Sequence, residues 1–208
     1  MNLKDYQTVF TVTGLALILA AAAPVIGLFV SFEDGAGKFS ELWILGPDHL
    51  AKDYPFDIRA NVSHTVFVGV GNHMGGSSYY MVLVKLRNQT QSSPNTTASI
   101  PSLLLPLSEF RFFITDGRSG EAQVHFSVLD VSRSDGSEAG AMSANSTVFV
   151  SRLSINDVIF PINSSAHWDS EYIGFYYQLF FELWRYDLTL RSFRFDNRFV
   201  GIWLNVTS

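Results

Sequence analysis

The chain has 208 residues, with 14 basic and 19 acidic side chains, five histidines and no cysteine. An apolar share of 47% excludes a disordered or low-complexity protein, and a net charge of −5 argues against nucleic acid as the main partner, because phosphate binding needs a basic footprint. The lack of cysteine excludes disulfide scaffolds, thiolate nucleophiles and cysteine-ligated metal centres.

Residues 6–32 carry no charge. A helix of that length exceeds the roughly 30 Å hydrocarbon core of a bilayer at about 1.5 Å rise per residue. The stretch is longer than the h-region of a cleaved signal peptide, so it is read as a single transmembrane helix. Lys4 precedes it, and Glu33 and Asp34 follow it. The positive-inside rule then leaves residues 1–5 in the cytoplasm and residues 33–208 outside the cell membrane as one extracytoplasmic domain.

Six of the ten asparagines, Asn61, Asn88, Asn95, Asn145, Asn163 and Asn205, sit in Asn-X-Ser/Thr sequons. All six follow the apolar segment. They are candidate acceptors of covalent N-glycans, which are attached on the outer face.

After residue 36 the pattern is one of short β-branched and aromatic runs between turn signals. Strands are expected at Phe39–Leu45, Thr65–Gly71 and Tyr79–Leu86. Phe110–Thr115 and Val124–Val131 read as a hairpin around Asp116-Gly-Arg-Ser-Gly120. Ser132–Ala144 reads as a Ser/Gly-rich loop. Thr147–Leu153, Val158–Ile162, Tyr172–Tyr186, Leu188–Phe195 and Val200–Val206 complete the series. About ten short strands at even spacing predict an all-β domain, with an immunoglobulin-like β-sandwich ahead of a closed barrel.

Within Tyr172–Tyr186 the odd positions form a core face. The even positions are aromatic with polar tips, and a strand's alternation turns them the other way. Such side chains are favoured at partner interfaces. Tyr172, Tyr176, Phe180, Trp184 and Tyr186 are therefore interaction candidates, against the plainer reading of a strand covered on both faces by its own fold.

No nucleophile elbow, Walker A loop or dinucleotide fingerprint is present, and Gly69-Val-Gly71 stands alone within a strand. The five histidines lack metal-ligand spacing. His73 reads as a turn residue bonding to backbone. No catalytic residue, metal site or cofactor is assigned, and an enzyme is the disfavoured class. Arg185, Arg191, Arg194 and Arg198 form a basic cluster that reads as a solvated strand edge or as a contact for acidic groups, lipid phosphates among them.

The run Phe39-Ser-Glu-Leu-Trp-Ile-Leu-Gly-Pro-Asp48, then Ala51-Lys-Asp-Tyr-Pro55, then Val66-Phe-Val-Gly-Val-Gly-Asn-His73, resembles the family of unknown function numbered 1616. Arg191-Ser-Phe193 and Trp203-Leu-Asn-Val206 are similar to that family's final strand. The likeness is strong over residues 33–88 and in the C-terminal strands. Residues 98–145 read as an insertion. The resemblance implies a membrane-anchored, outward-facing β domain of prokaryotic origin, archaeal ahead of bacterial, and it brings no known activity.

Three functions are weighed on this basis. The first is a non-catalytic, N-glycosylated, single-pass accessory subunit that binds a membrane or surface protein. The second is a structural subunit of a surface filament. The third is a carbohydrate-binding surface module.

Overall fold

A computed structural model of the chain describes residues 37–134 and 146–207. The expected membrane segment at residues 6–32, most of the Ser/Gly-rich loop and the sequon at Asn145 lie outside the described residues. Ten strands and no helix occur among the described residues: β1 (Phe39–Leu45), β2 (Asp57–Arg59), β3 (His64–His73), β4 (Ser78–Asn88), β5 (Ser108–Ile114), β6 (Arg118–Ser134), β7 (Thr147–Ile155), β8 (Val158–His167), β9 (Tyr176–Asp187) and β10 (Ser192–Thr207).

They form two five-stranded sheets, ordered β1-β3-β6-β7-β8 and β2-β10-β9-β4-β5. Every pairing is antiparallel except β2 with β10. One apolar core joins the sheets, with Val66, Val68 and Val70 of β3 and Val124, Phe126 and Val128 of β6 meeting Tyr80, Val82 and Val84 of β4 and Tyr177, Leu179, Phe181 and Leu183 of β9. These residues alternate along their strands, so one face of each sheet supplies the core.

β3 is buried on both faces, although one face carries Gly69 and Gly71. Those glycines stand directly opposite Trp43 and Glu41 of β1. A Cβ on Gly69 would enter the Trp43 indole, and one on Gly71 would meet the Glu41 carboxylate. The glycine pair is thus a bed for the two side chains that cover the outer face of this sheet.

The sequence-based hairpin between Phe110–Thr115 and Val124–Val131 does not form. β5 pairs with β4 in one sheet, and β6 pairs with β3 and β7 in the other. The chain crosses between sheets at Asp116-Gly117, where Gly117 takes φ +70° and donates its N–H to the Asn72 carbonyl at 2.7 Å. Fully buried Asn72 fixes this corner. Its Nδ2 donates to the carbonyls of Gly76 and Ile114, both at 2.8 Å, and its Oδ1 accepts from the Met74 N–H and the Tyr80 hydroxyl. Neighbouring His73 does not hold the turn; it stacks on Phe39 at 4.7 Å and lies 3.4 Å from Glu41.

Other boundaries also moved. The two strands expected at Leu188–Phe195 and Val200–Val206 are one bulged strand, β10, whose register shifts between Phe195 and Arg198. Leu188–Arg191 is the turn before it. β9 starts at Tyr176 because Asp169 and Gly174 close a tight loop by reciprocal backbone bonds of 2.9 and 3.2 Å, with Ile173 at φ 58°. Tyr172 therefore lies in that loop and not in the strand. β2 carries no periodic signal of its own and was not foreseen.

Candidate functional site

The odd face of β9 enters the core as expected, through Tyr177, Leu179, Phe181 and Leu183. The even face is also covered along its middle. Phe180 is fully buried and makes an edge contact with Phe199, 6.4 Å between centroids. Glu182, fully buried, accepts from the Ser102 N–H at 2.7 Å and from Lys85 Nζ at 2.9 Å. Ser102 is thus fastened over Glu182 and Lys85 on this face, and Phe180, fully buried, is not available for a surface contact. Trp184 donates its indole N–H to Glu182 at 3.2 Å, and Tyr186 packs against Phe193 and Tyr79.

The two remaining candidates come together at the start of β9. Tyr172 and Tyr176 line a cleft of about 590 Å³ with Phe56, Trp203, Gln89 and Asp169. That size falls within the range of small-molecule sites. Phe56, Tyr172 and Trp203 expose large parts of their rings. Each wall has a separate support. The Phe56 carbonyl accepts from the Asn205 N–H at 2.7 Å, just ahead of β2. The Asp169 Oδ1 accepts from the N–H groups of Glu171 and Tyr172 at 2.9 and 3.1 Å, an Asx turn that shapes the loop. The Tyr176 hydroxyl donates to the Tyr172 carbonyl. Gln89 Nε2 donates to the His167 carbonyl.

Asn205 ties the loop to the sheet. Its Oδ1 accepts from the Phe175 N–H at 3.1 Å, and its Nδ2 donates to Asp57 Oδ1 at 3.0 Å. Gly174 makes the approach possible, since a Cβ there would strike both Asn205 Oδ1 and the Tyr176 ring. Trp203 is oriented by Arg87, whose guanidinium lies 4.8 Å from the ring centroid and donates to Gln178 Oε1 at 2.7 Å and the Gln91 carbonyl at 2.6 Å. Burial pulls the Arg87 pKa down from its ordinary value. Burial, then the Asp169 and Asp57 carboxylates, push the Tyr176 phenol up, so Tyr176 is a neutral donor at physiological pH.

The cleft therefore offers flat aromatic faces with one carboxylate and one amide at the rim. This suits binding by stacking and hydrogen bonding. Among the described residues, no group of three acidic or histidine side chains is placed to hold a metal ion. Sequence reasoning found Tyr172 and Tyr176 but missed Phe56, Gln89, Asp169 and Trp203, which are far apart in the chain. The Tyr-Pro break before Phe56 and the Trp203-Leu-Asn-Val206 run were the available signals.

The arginines lie toward the other end of β9. Arg185 Nε is 3.2 Å from Asp196, Arg194 is 3.8 Å from Asp187, and Arg191, Arg194 and Arg198 are exposed. β2 pairs only with Asn205–Thr207, so most of β10 has a neighbour in its sheet on one side alone.

Residues 34–134 match the family described as Domain of unknown function (DUF1616). The DUF1616 match covers just under half of the chain, and it is the family whose likeness the sequence carries. It spans β1 to β6, including the Asn72 corner, the Phe56 and Gln89 walls of the cleft, and much of the stretch read as an insertion. The rest of the cleft lies outside the DUF1616 match. No curated protein matches the chain.

Proposed function

We propose that the chain is a single-pass, N-glycosylated protein of the cell membrane with its β domain outside. In this reading it is a non-catalytic accessory or interaction subunit of a membrane or surface complex. The observation that carries the reading is the aromatic cleft. Phe56, Tyr172 and Trp203 leave large ring surfaces in water although each backbone is pinned by the fold, and pre-positioned exposed aromatics are the anchors of recognition surfaces. The charge-free residues 6–32 support the anchor and the sequons support the outward side. The immunoglobulin-like reading draws support from the neighbours β4, β9 and β10, which correspond in order to the C, F and G strands of that fold. The outward run β6-β7-β8 in the other sheet is this chain's own variation.

A carbohydrate ligand is the second reading, because aromatic faces beside Asp169 and Gln89 match the apolar faces and hydroxyls of a sugar ring. Native mass spectrometry of the full-length protein from its own membrane tests the main reading. An assembly with a second membrane protein, lost in Tyr172→Ala, is the expected result. A lone monomer that binds glycans on an array, and loses them in the same variant, transfers the cleft to sugar binding. A homopolymer favours the filament.

A further inference from the structure

The opposite end of β9 carries a different surface. β9 closes at Asp187, β10 opens at Ser192, and the four residues between them form the hairpin tip. Asp187 Oδ1 accepts from the N–H groups of Thr189 at 2.8 Å and Leu190 at 3.0 Å, and Arg191 takes φ 51°, so the tip is a built turn. It presents Leu188 and Leu190 to solvent, 84% and 57% exposed. Behind them Tyr79, Tyr186 and Phe193 form a ring cluster with centroids 5.2 to 6.4 Å apart. Arg185, Arg191 and Arg194 flank the tip against the two carboxylates of Asp187 and Asp196, in a chain whose overall charge is −5.

The first strand begins at this same end. Tyr80 pairs with Arg185 across β4 and β9, and its hydroxyl lies 3.0 Å from Ser40 Oγ, the second residue of β1. The charge-free segment ends at Phe32 and β1 opens at Phe39, so only six residues of sequence separate that segment from the strand. Leucines ahead of tyrosines and arginines make the side-chain order of a bilayer interface, with apolar groups deepest, aromatic rings at headgroup level and cations at the phosphates.

We propose that the β9–β10 hairpin is a membrane-contact element that inserts Leu188 and Leu190 just beneath the headgroups of an anionic bilayer. The contact holds the domain upright, with the aromatic cleft about 35 Å away at the far end of β9. This rests on reading residues 6–32 as an anchor.

The test uses the full-length protein in vesicles of phosphatidylcholine with and without phosphatidylglycerol. The chain has no cysteine, so Leu190→Cys gives one labelling site for an environment-sensitive fluorophore, and Tyr172→Cys gives a control at the cleft. Nitroxide-headgroup lipid should quench the label at 190, more strongly with phosphatidylglycerol, and leave the label at 172 bright. Arg191→Glu with Arg194→Glu should reduce the quenching at 190 to the level of neutral lipid. An unquenched label at 190 in protein that resists alkaline carbonate extraction overturns the contact while leaving the anchor standing. Release by carbonate overturns the anchor and the contact together. Loss of the native assembly in Leu188→Glu with no quenching at 190 assigns the tip to a protein partner instead.

Discussion

Lys85 donates from its ammonium to the Glu182 carboxylate at 2.9 Å, and both side chains are all but fully buried on the outer face of the second sheet. Each partner also bonds the backbone of Ser102, Lys85 to its carbonyl at 2.9 Å and Glu182 to its N–H at 2.7 Å. The pair thus fastens a loop across a sheet face. Lys85→Met leaves Glu182 buried without its cation and should cost about 3–5 kcal/mol in urea unfolding. Lys85→Met with Glu182→Leu should recover most of that loss. Equal stability of the single and double variants would refute the coupling.

Asn72→Ala should destabilise the domain by about 2–4 kcal/mol, because the buried Ile114 carbonyl and Tyr80 hydroxyl lose a partner. Native-state hydrogen exchange should show the effect first at the turn of residues 74–77, where Asn72 bonds Met74 and Gly76.

Gly174→Ala tests the architecture of the cleft. The new methyl would collide with Asn205 Oδ1 and the Tyr176 ring, so the loop of residues 169–174 must shift. Overpacking of this kind costs about 1–3 kcal/mol, and cleft binding should fall with it. Tyr172→Ala, at an exposed loop position, should change stability by less than about 0.5 kcal/mol while abolishing binding.

His64 sets an acid limit. Burial lowers its pKa, and its Nε2 is buried with no partner among the described residues, so the folded state favours the neutral ring. Below the unfolded value of about 6.5 the unfolded chain holds more protons than the folded one. This contribution is therefore complete above pH 6.5 and is lost as the pH falls through the folded value. His64→Phe should flatten the melting-temperature profile between pH 7 and pH 5. A profile parallel to the unaltered protein would refute the assignment.

The sequons should not be used alike. Asn61, Asn95 and Asn163 are exposed. In Asn88 and Asn205 the amide nitrogen that would carry the glycan already donates inside the fold, to the Ser165 carbonyl at 2.8 Å and to Asp57 at 3.0 Å. Glycopeptide mass spectrometry on the native protein should find sugar at the first three positions and none at Asn88 or Asn205.

Much of the fold was legible in the sequence because a strand of a two-sheet domain writes its core face as a two-residue period. β1 was foreseen to the residue, and the odd face of β9 entered the core as its alternation required. The family resemblance was equally local, resting on contiguous runs such as Leu45-Gly-Pro47. Which strands pair is a different kind of fact. β5 and β6 are separated by turn residues that would suit a hairpin, yet they pair in different sheets, with the buried amide of Asn72 bonding the Ile114 carbonyl at the corner between them. The burial of Glu182 on the even face of β9 involved Ser102, 80 residues earlier in the chain. The cleft depended on Phe56 meeting Trp203 across the β2–β10 pairing. Periodicity along one strand records which side is buried. It carries no record of which distant segment does the burying, and tertiary structure alone decided that.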